Sequence, residues 1–566
     1  MTRMSLAAVF AALVTGALPI AAQETREEPS ARHKHYHEPD VGDQPSPTGS
    51  LAPRLQNLGK HTFPVSCASE KGQQYINQGV NLAYGFNHAE AGRSFREAAR
   101  LDPDCAMAYW GQALVLGPNI NAPMDPEAEP QARELVRKAQ ALASSASARE
   151  RALIEALSNR YTGDPTERKK ADVAYAAAMA QVAQKYPDDL DIATLYAESM
   201  MDLRPWNYWM RDGTPYAGTE EIVALLEKVM AQNPEHPGAL HLYIHLIEPT
   251  DTPERAEKAA DTLRGLMPGA GHIVHMPAHI YQRVGRYADS ASANERAIAA
   301  DEDYISQCRA QGLYPMAYYP HNLHFLWFAT TAQGRSAAAI DAAEKTAAQV
   351  SDESLAQMPM LAGFRVIPYW SLARFGKWDQ VLALPKPAQD PFLTGAWHYV
   401  RGLAFIGKGQ LDRAEAELKQ VQTIAASPSL DYAMFSPNSA KQILAIAPEV
   451  LAGELAAARK DYATAIGHLE RAVRLEEGLV YTEPNEWHYP PRLALGAILL
   501  AAGRPAEAET VYWQNLSRYP ANGWGLFGLA QALRAQEKTE EAALIEGRFQ
   551  RAWRDADIKL AASRIQ

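Results

Sequence analysis

The chain has 566 residues, 47% of them hydrophobic, which excludes a disordered protein and exceeds what one core can organise, so several units or an array are required. With 55 basic against 66 acidic residues, the net charge of −11 excludes a general binder of nucleic acid or of an anionic membrane, either of which needs a basic footprint. Three cysteines are too few for disulfides to be the main framework.

In chain order, residues 1–22 read as a secretory signal. Arg3 gives the positive start, Leu6 to Leu18 the apolar run, and Ala21-Ala22 the small residues before Gln23. The run is too short to span a membrane, and no other apolar stretch of about 20 residues follows, so no membrane span is expected. The mature protein is expected to be periplasmic or secreted, where disulfides are permitted. Cys67 and Cys105 are then the candidate pair, which leaves Cys308 odd, either buried or free. Residues 23–65 are polar and rich in Pro, Ser and Gly, the composition of a disordered linker. Within them His33, His35 and His37 alternate, as a metal-scavenging tract or as a chance polar cluster.

From Ser66 onward the pattern is helical, with Gly, Pro and Asp as punctuation and no strand series. A repeat is visible. Gly79, Ala91, Phe95, Ala98 and Pro103 stand at offsets 0, 12, 16, 19 and 24. Gly496, Ala508, Tyr512 and Pro520 reuse offsets 0, 12, 16 and 24, and Gly453, Ala465, Leu469 and Ala472 fit the same frame. Gly402, Ala414 and Leu418 follow it as well. In these residues the chain resembles the tetratricopeptide repeat family. The resemblance implies an all-α fold, a right-handed α-solenoid of about nine to eleven helical hairpins, each burying its apolar face by stacking on the next. An N-terminal array over 66–350 and a C-terminal array over 351–566 are expected. Insertions at Arg204–Gly218, with Trp206, Tyr208 and Trp209, and at Tyr481–Pro491, with Glu486, Trp487 and His488, break the frame. Such insertions map to loops, often on a binding face; the second is either a lid over the groove or ordinary loop packing.

Eight of the 16 histidines fall between residues 236 and 324. His241 and His245 are four apart, with Glu248 three further on. His272, His275 and His279 are three and four apart, and His321 and His324 are three apart. Side chains at such spacings share one helix face, with Cβ atoms ~5–6 Å apart, so one helix can offer two imidazoles to one ion. In the repeat frame, the resemblance implies that these seven imidazoles and Glu248 line one concave groove from three successive helices. It places Glu198 and Asp202 on the same face one repeat upstream, and Arg283 facing the groove. Pro277 should kink its helix and re-aim His279 relative to His275. His88 is expected at a turn, and His398 and His468 are expected to be structural. Tyr243, Tyr281, Tyr318 and Tyr319 lie close enough in sequence to serve in redox or substrate contact, Tyr281 more plausibly as core.

The nitrogen-rich, thiolate-free set points to copper most strongly, with iron or zinc as alternatives. The leading expectation is a metal-dependent oxidoreductase with His241, His245, His272, His275, His279, His321 and His324 as ligands. Glu248 would be a ligand or general base, and Glu198, Asp202 and Arg283 would stand behind the ligands to orient them. A groove holding a peptide or partner protein is the second reading, and a zinc hydrolase with Glu248 activating water is the third. The substrate would be a small molecule, a glycan or a peptide. Glycine-rich phosphate loops, nucleophile elbows and Cys-x-x-Cys pairs are absent from the sequence.

Overall fold

The computed structural model describes residues 49–308, 314–387, 390–435 and 437–564. The expected signal and His33, His35 and His37 lie outside the described residues.

The first hairpin shows why the sequence folds as it does. Ser69 caps the Glu70–Tyr84 helix by accepting the Gly72 amide. The chain then turns through Gly85 and Phe86, the latter in the left-handed region at φ 55°. Asn87 caps the His88–Leu101 helix by accepting the Glu90 amide. Phe95, fully buried on that second helix, sits between two glycines. A Cβ on Gly79 would lie 2.6 Å from its ring, and one on Gly111, in the Ala106–Leu114 helix, 2.4 Å. The same arrangement recurs near the C-terminus, where Tyr512 separates Gly496 and Gly528, with Cβ clearances of 2.5 and 2.2 Å. The spacing read from the sequence is therefore a packing rule: two small residues on successive first helices grip one aromatic of the helix between them.

The described chain is all-α, and its helices pack as consecutive pairs down to Gly523–Arg534 and Thr539–Ala552. The apolar interior forms two main clusters, one from Leu58 to Tyr318 and one from Tyr287 to Ile545. Cys67 and Cys105 are disulfide-bonded, which is compatible with an oxidising, extracytoplasmic compartment, and Cys308 is buried and unbonded. No helix of the described residues is long and apolar enough to cross a membrane.

Two expectations are corrected. Residues 49–65 are not a loose linker. Phe63 and Ala52 are buried, the Phe63 amide donates to Asn77, and the carbonyls of Ala52 and His61 accept from Tyr75 and Asn81. The polar composition that suggested a linker hides single apolar anchors. The second correction concerns the groove. An open solenoid contacts only its neighbours, but this chain returns on itself. The Tyr84 ring packs where a Cβ on Gly238 would lie, at 2.6 Å, and the Tyr304 hydroxyl donates to Asn87. Further on, the Trp524 indole donates to the Thr331 carbonyl at 2.9 Å. The Asp557 carboxylate accepts the amides of Ser336 and Ala337, at the start of the Ser336–Ala348 helix. The concave face carries a half-open cavity of about 1450 Å³. Both insertions line it, Trp206 and Trp209 from the first, Tyr481, Glu483 and Trp487 from the second.

Candidate metal centre

The Pro237–Ile247 helix carries His241 and His245, and Glu248 is its C-terminal cap. His272 and His275 lie on the short Gly271–His275 helix, and His279 on Pro277–Arg283. The interruption expected at Pro277 is present, but it does not separate the rings: His275 and His279 stand with centroids 4.6 Å apart. His321 comes from the Tyr319–Ala332 helix. That helix is tied to Gly271–His275 through the buried Asp301, which accepts from Asn322 at 2.7 Å and from Tyr314 at 2.9 Å. The Tyr314 oxygen in turn accepts the His272 amide. A Cβ on Gly271 would fall 1.8 Å from the Asp301 carboxylate, so only glycine allows that approach.

The structure sorts six of the seven expected histidines into two triads, His241 with His245 and His272, and His275 with His279 and His321. Within each triad the ring nitrogens able to bind a cation lie within 4.8 Å of one another. The triads adjoin, with His245 and His279 centroids 5.5 Å apart and His272 and His275 6.0 Å apart. His241, His245, His272, His275 and His279 are buried, and His321 is partly so.

Hydrogen bonds fix which nitrogen faces inward. His241 Nδ1 donates to the Tyr84 carbonyl at 2.6 Å. His275 Nδ1 donates to Asn294 Oδ1 at 2.7 Å, and the Asn294 amide group is oriented by donating to the Ser290 carbonyl. Both acceptors lack a proton, so both Nδ1 atoms carry one and both Nε2 atoms present lone pairs. His245 and His279 turn their Nδ1 atoms to the two oxygens of Glu248, at 2.9 and 2.6 Å. The Nε2 atoms then face one another, at 2.7 Å between His275 and His279 and 3.1 Å between His241 and His272. His245 Nε2 and His272 Nδ1 have no hydrogen-bond partner.

Burial holds these imidazoles neutral. His241 and His275 are lowered to about 4, chiefly by burial. His245, His272, His279 and His321 are held well below the ordinary range by burial and then by neighbouring rings. Neutral rings at pH 7 need shed no proton to bind a cation.

Three expected roles change, and one stands open. Glu248, expected as ligand or base, is fully buried between His245 and His279, one histidine of each triad, and forms with them a further group able to hold an ion. Burial, then the neighbouring Glu483, pushes its carboxyl up, against the Tyr481 hydrogen bond and the Arg283 charge. His324 joins neither triad. It lines the same cavity as His321, stacked on Trp327 at 5.4 Å and edge-on to Phe364 at 5.9 Å. Glu198 and Asp202 touch no histidine of the centre. Asp202 pairs with the buried Arg160 at 2.6 Å, and Glu198 lies beside them along a small separate cavity. A buried guanidinium needs a carboxylate more than an imidazole does, and it has taken this one. Burial raises Glu198 to about 8, and Asp202 adds to the rise. Arg283 does line the cavity, but it donates to the carbonyls of Glu248 and Thr250 rather than to a ring.

Other histidines behave as structural residues. His398 and His468 pair with Glu417 and Glu449. His88 is half-buried beside Asn119. A further group, His61, His236 and Asp191, could also hold an ion. There, however, Asp191 Oδ1 accepts from both imidazoles and from Tyr84, with Arg149 nearby, and His236 Nδ1 caps its helix by accepting the Ala239 amide. This is a satisfied polar network.

Sequence reasoning missed Tyr481 and Glu483 as neighbours of the centre. The Tyr481 hydroxyl donates to Glu248 at 3.1 Å, and a Glu483 oxygen lies 3.6 Å from His279 Nδ1. Their one signal was membership of the insertion. Tyr84 and Asn294 carried none.

No family model matches the chain, and no curated protein matches it. Solved structures similar to it include the human IFIT1 dimer with m7Gppp-AAAA, at 13% identity, a TM-score of 0.31, and coverage of 79% of this chain and 90% of that one. A monomeric IFIT1 mutant with Gppp-AAAA is another, at 13% identity, TM-score 0.31, and coverage of 87% and 92%.

Proposed function

We propose that this protein is a metal-dependent oxidoreductase whose centre holds two transition-metal ions, copper foremost, one in each imidazole triad. The observation that carries the reading is the pairing of inward Nε2 atoms at 2.7 and 3.1 Å while Nδ1 of His241 and of His275 is committed as a donor on the far side. A cation placed between those nitrogens would be ligated by both rings of each pair. An all-imidazole set suits copper, iron, zinc and nickel, and copper binds tightest in the divalent series. The carboxylates that would widen the choice toward manganese stand behind the rings. His245, His272, His279 and His321 line the cavity, so a substrate there would lie against the centre. Two such ions, held by the two triads, would supply a two-electron exchange between dioxygen and that substrate. The hydrolase reading loses support because Glu248 faces Nδ1 atoms rather than the cavity.

Elemental analysis of untagged protein tests the proposal. About two equivalents of copper per chain, with a visible absorption band, are expected. Less than about half an equivalent of any transition metal after reconstitution refutes it, and two equivalents of zinc without redox activity would restore the hydrolytic reading.

A further inference from the structure

The cavity beside the triads has a wall of unusual make-up. Several of its polar side chains are already committed. Arg283 is spent on two backbone carbonyls, Glu476 accepts from Tyr519, and Asn485 donates to the Tyr519 hydroxyl. The Trp209 indole N–H is anchored on the Leu246 carbonyl, and Arg211 on the Glu477 carbonyl. Beside the imidazoles of the triads, the wall offers large apolar side chains. At its mouth Met210, Phe435 and Val480 remain 42%, 49% and 54% exposed, although they line the same space. Exposed large apolar side chains gathered at one opening mark a route for an apolar ligand.

Trp206 adds a second observation. It is a bulky residue held in the left-handed backbone region, at φ 63°. Such a conformation persists only where its surroundings enforce it, and it clusters at functional sites. Here the enforcement is visible: the insertion is pinned by the Trp209 anchor and by the Tyr216 amide donating to the Tyr208 carbonyl. The result is an indole half-buried in the cavity wall, edge-on to the His245 ring at 4.9 Å.

We infer that the cavity takes a planar aromatic molecule, packed against Trp206 beside the imidazole triads. A flat apolar ring is matched by the faces and edges that Trp206, Met210, Phe435 and Val480 present, whereas a glycan would draw on the wall's polar groups alone. The inference rests on the cavity being the substrate site of the proposed enzyme, and its test is kept separate from the metal by using the metal-free full-length chain. The probe is 2-naphthol, measured by titration calorimetry, with cellohexaose as the glycan arm.

Saturable one-to-one binding of 2-naphthol is expected. Trp206→Ala should weaken it at least tenfold with the helical signal unchanged, and Trp206→Phe should restore most of it. Phe435→Ser, at a half-exposed position, should weaken it about threefold and covers the case in which the Trp206 variant misfolds. Absence of saturable binding, wild-type affinity in both variants, or tighter binding of cellohexaose overturns the inference. A chain that binds 2-naphthol but takes up no metal would sink the metal reading alone.

Discussion

Replacing Glu248 by glutamine keeps the side chain's shape and turns one of its two oxygens into an N–H donor. With cations in the triads to hold Glu248 ionised, both oxygens accept, from His245 Nδ1 at 2.9 Å and from His279 Nδ1 at 2.6 Å. Glutamine can accept from one ring only. At the other, two N–H groups would face each other in a fully buried place, so that imidazole must move its proton to Nε2. There the proton occupies the lone pair that points into its triad. Loss of such an orienting partner costs roughly ten- to hundredfold in metal affinity, or about 1.4–2.7 kcal/mol. Because Glu248 serves one histidine of each triad, Glu248→Gln should weaken one of two bound ions by that factor and spare the other, whereas Glu248→Ala should weaken both. The assay is metal content after dialysis against a graded chelator, with the visible spectrum of the cobalt-substituted protein as a readout that a purely structural defect would not move. Two ions held with wild-type affinity in both variants would show that the carboxylate orients nothing.

The double change His275→Ala with His279→Ala leaves His321 alone in its triad and should lower metal content from about two equivalents to about one, with helicity retained; loss of both ions or of the fold would contradict two separable triads. Asn294→Ala releases His275 alone and should weaken one ion only, read by the same dialysis. His324, lowered to about 3 by burial, stays neutral in the folded chain while the unfolded chain binds its proton near pH 6.5. It therefore costs nothing above pH 6.5 and destabilises progressively as pH falls toward its folded value, so His324→Leu should gain about 2 kcal/mol relative to wild type between pH 7.5 and pH 5. Urea titrations at the two pH values check this, and the same variant should keep its full metal content. Phe95→Ala empties the space between Gly79 and Gly111 and should cost about 3–5 kcal/mol in a thermal melt, a loss under 1 kcal/mol contradicting the packing rule.

Local spacing carried the hairpins. Gly79 with Phe95 and Gly496 with Tyr512 are separated by one helix–turn–helix, so the sequence interval is itself the contact. The same logic brought out the histidine pairs three and four apart. It could not sort them, because neither triad belongs to one helix: His272 leaves His275 and His279 to join His241 and His245, and His321 joins from another repeat. Nor could it find the Nδ1 partners, since Tyr84 lies 157 residues from His241. Glu198 and Asp202 satisfied the repeat frame but met a stronger claim from Arg160, a contest between partners that no periodicity records. Closure of the groove was equally hidden, since Asp557 caps a helix 221 residues away.

The reach of the chain around the centre sets an order of events. The carbonyl that steadies His241 comes from residue 84, and the hydroxyl on Glu248 from residue 481. A growing or half-threaded chain owns pairs of imidazoles on single turns but no cage, and would release an ion as readily as it picked one up. If the triads hold ions as proposed, loading would come last, after nearly all of the polypeptide has arrived, and the finished protein would need an entrance wide enough to admit them.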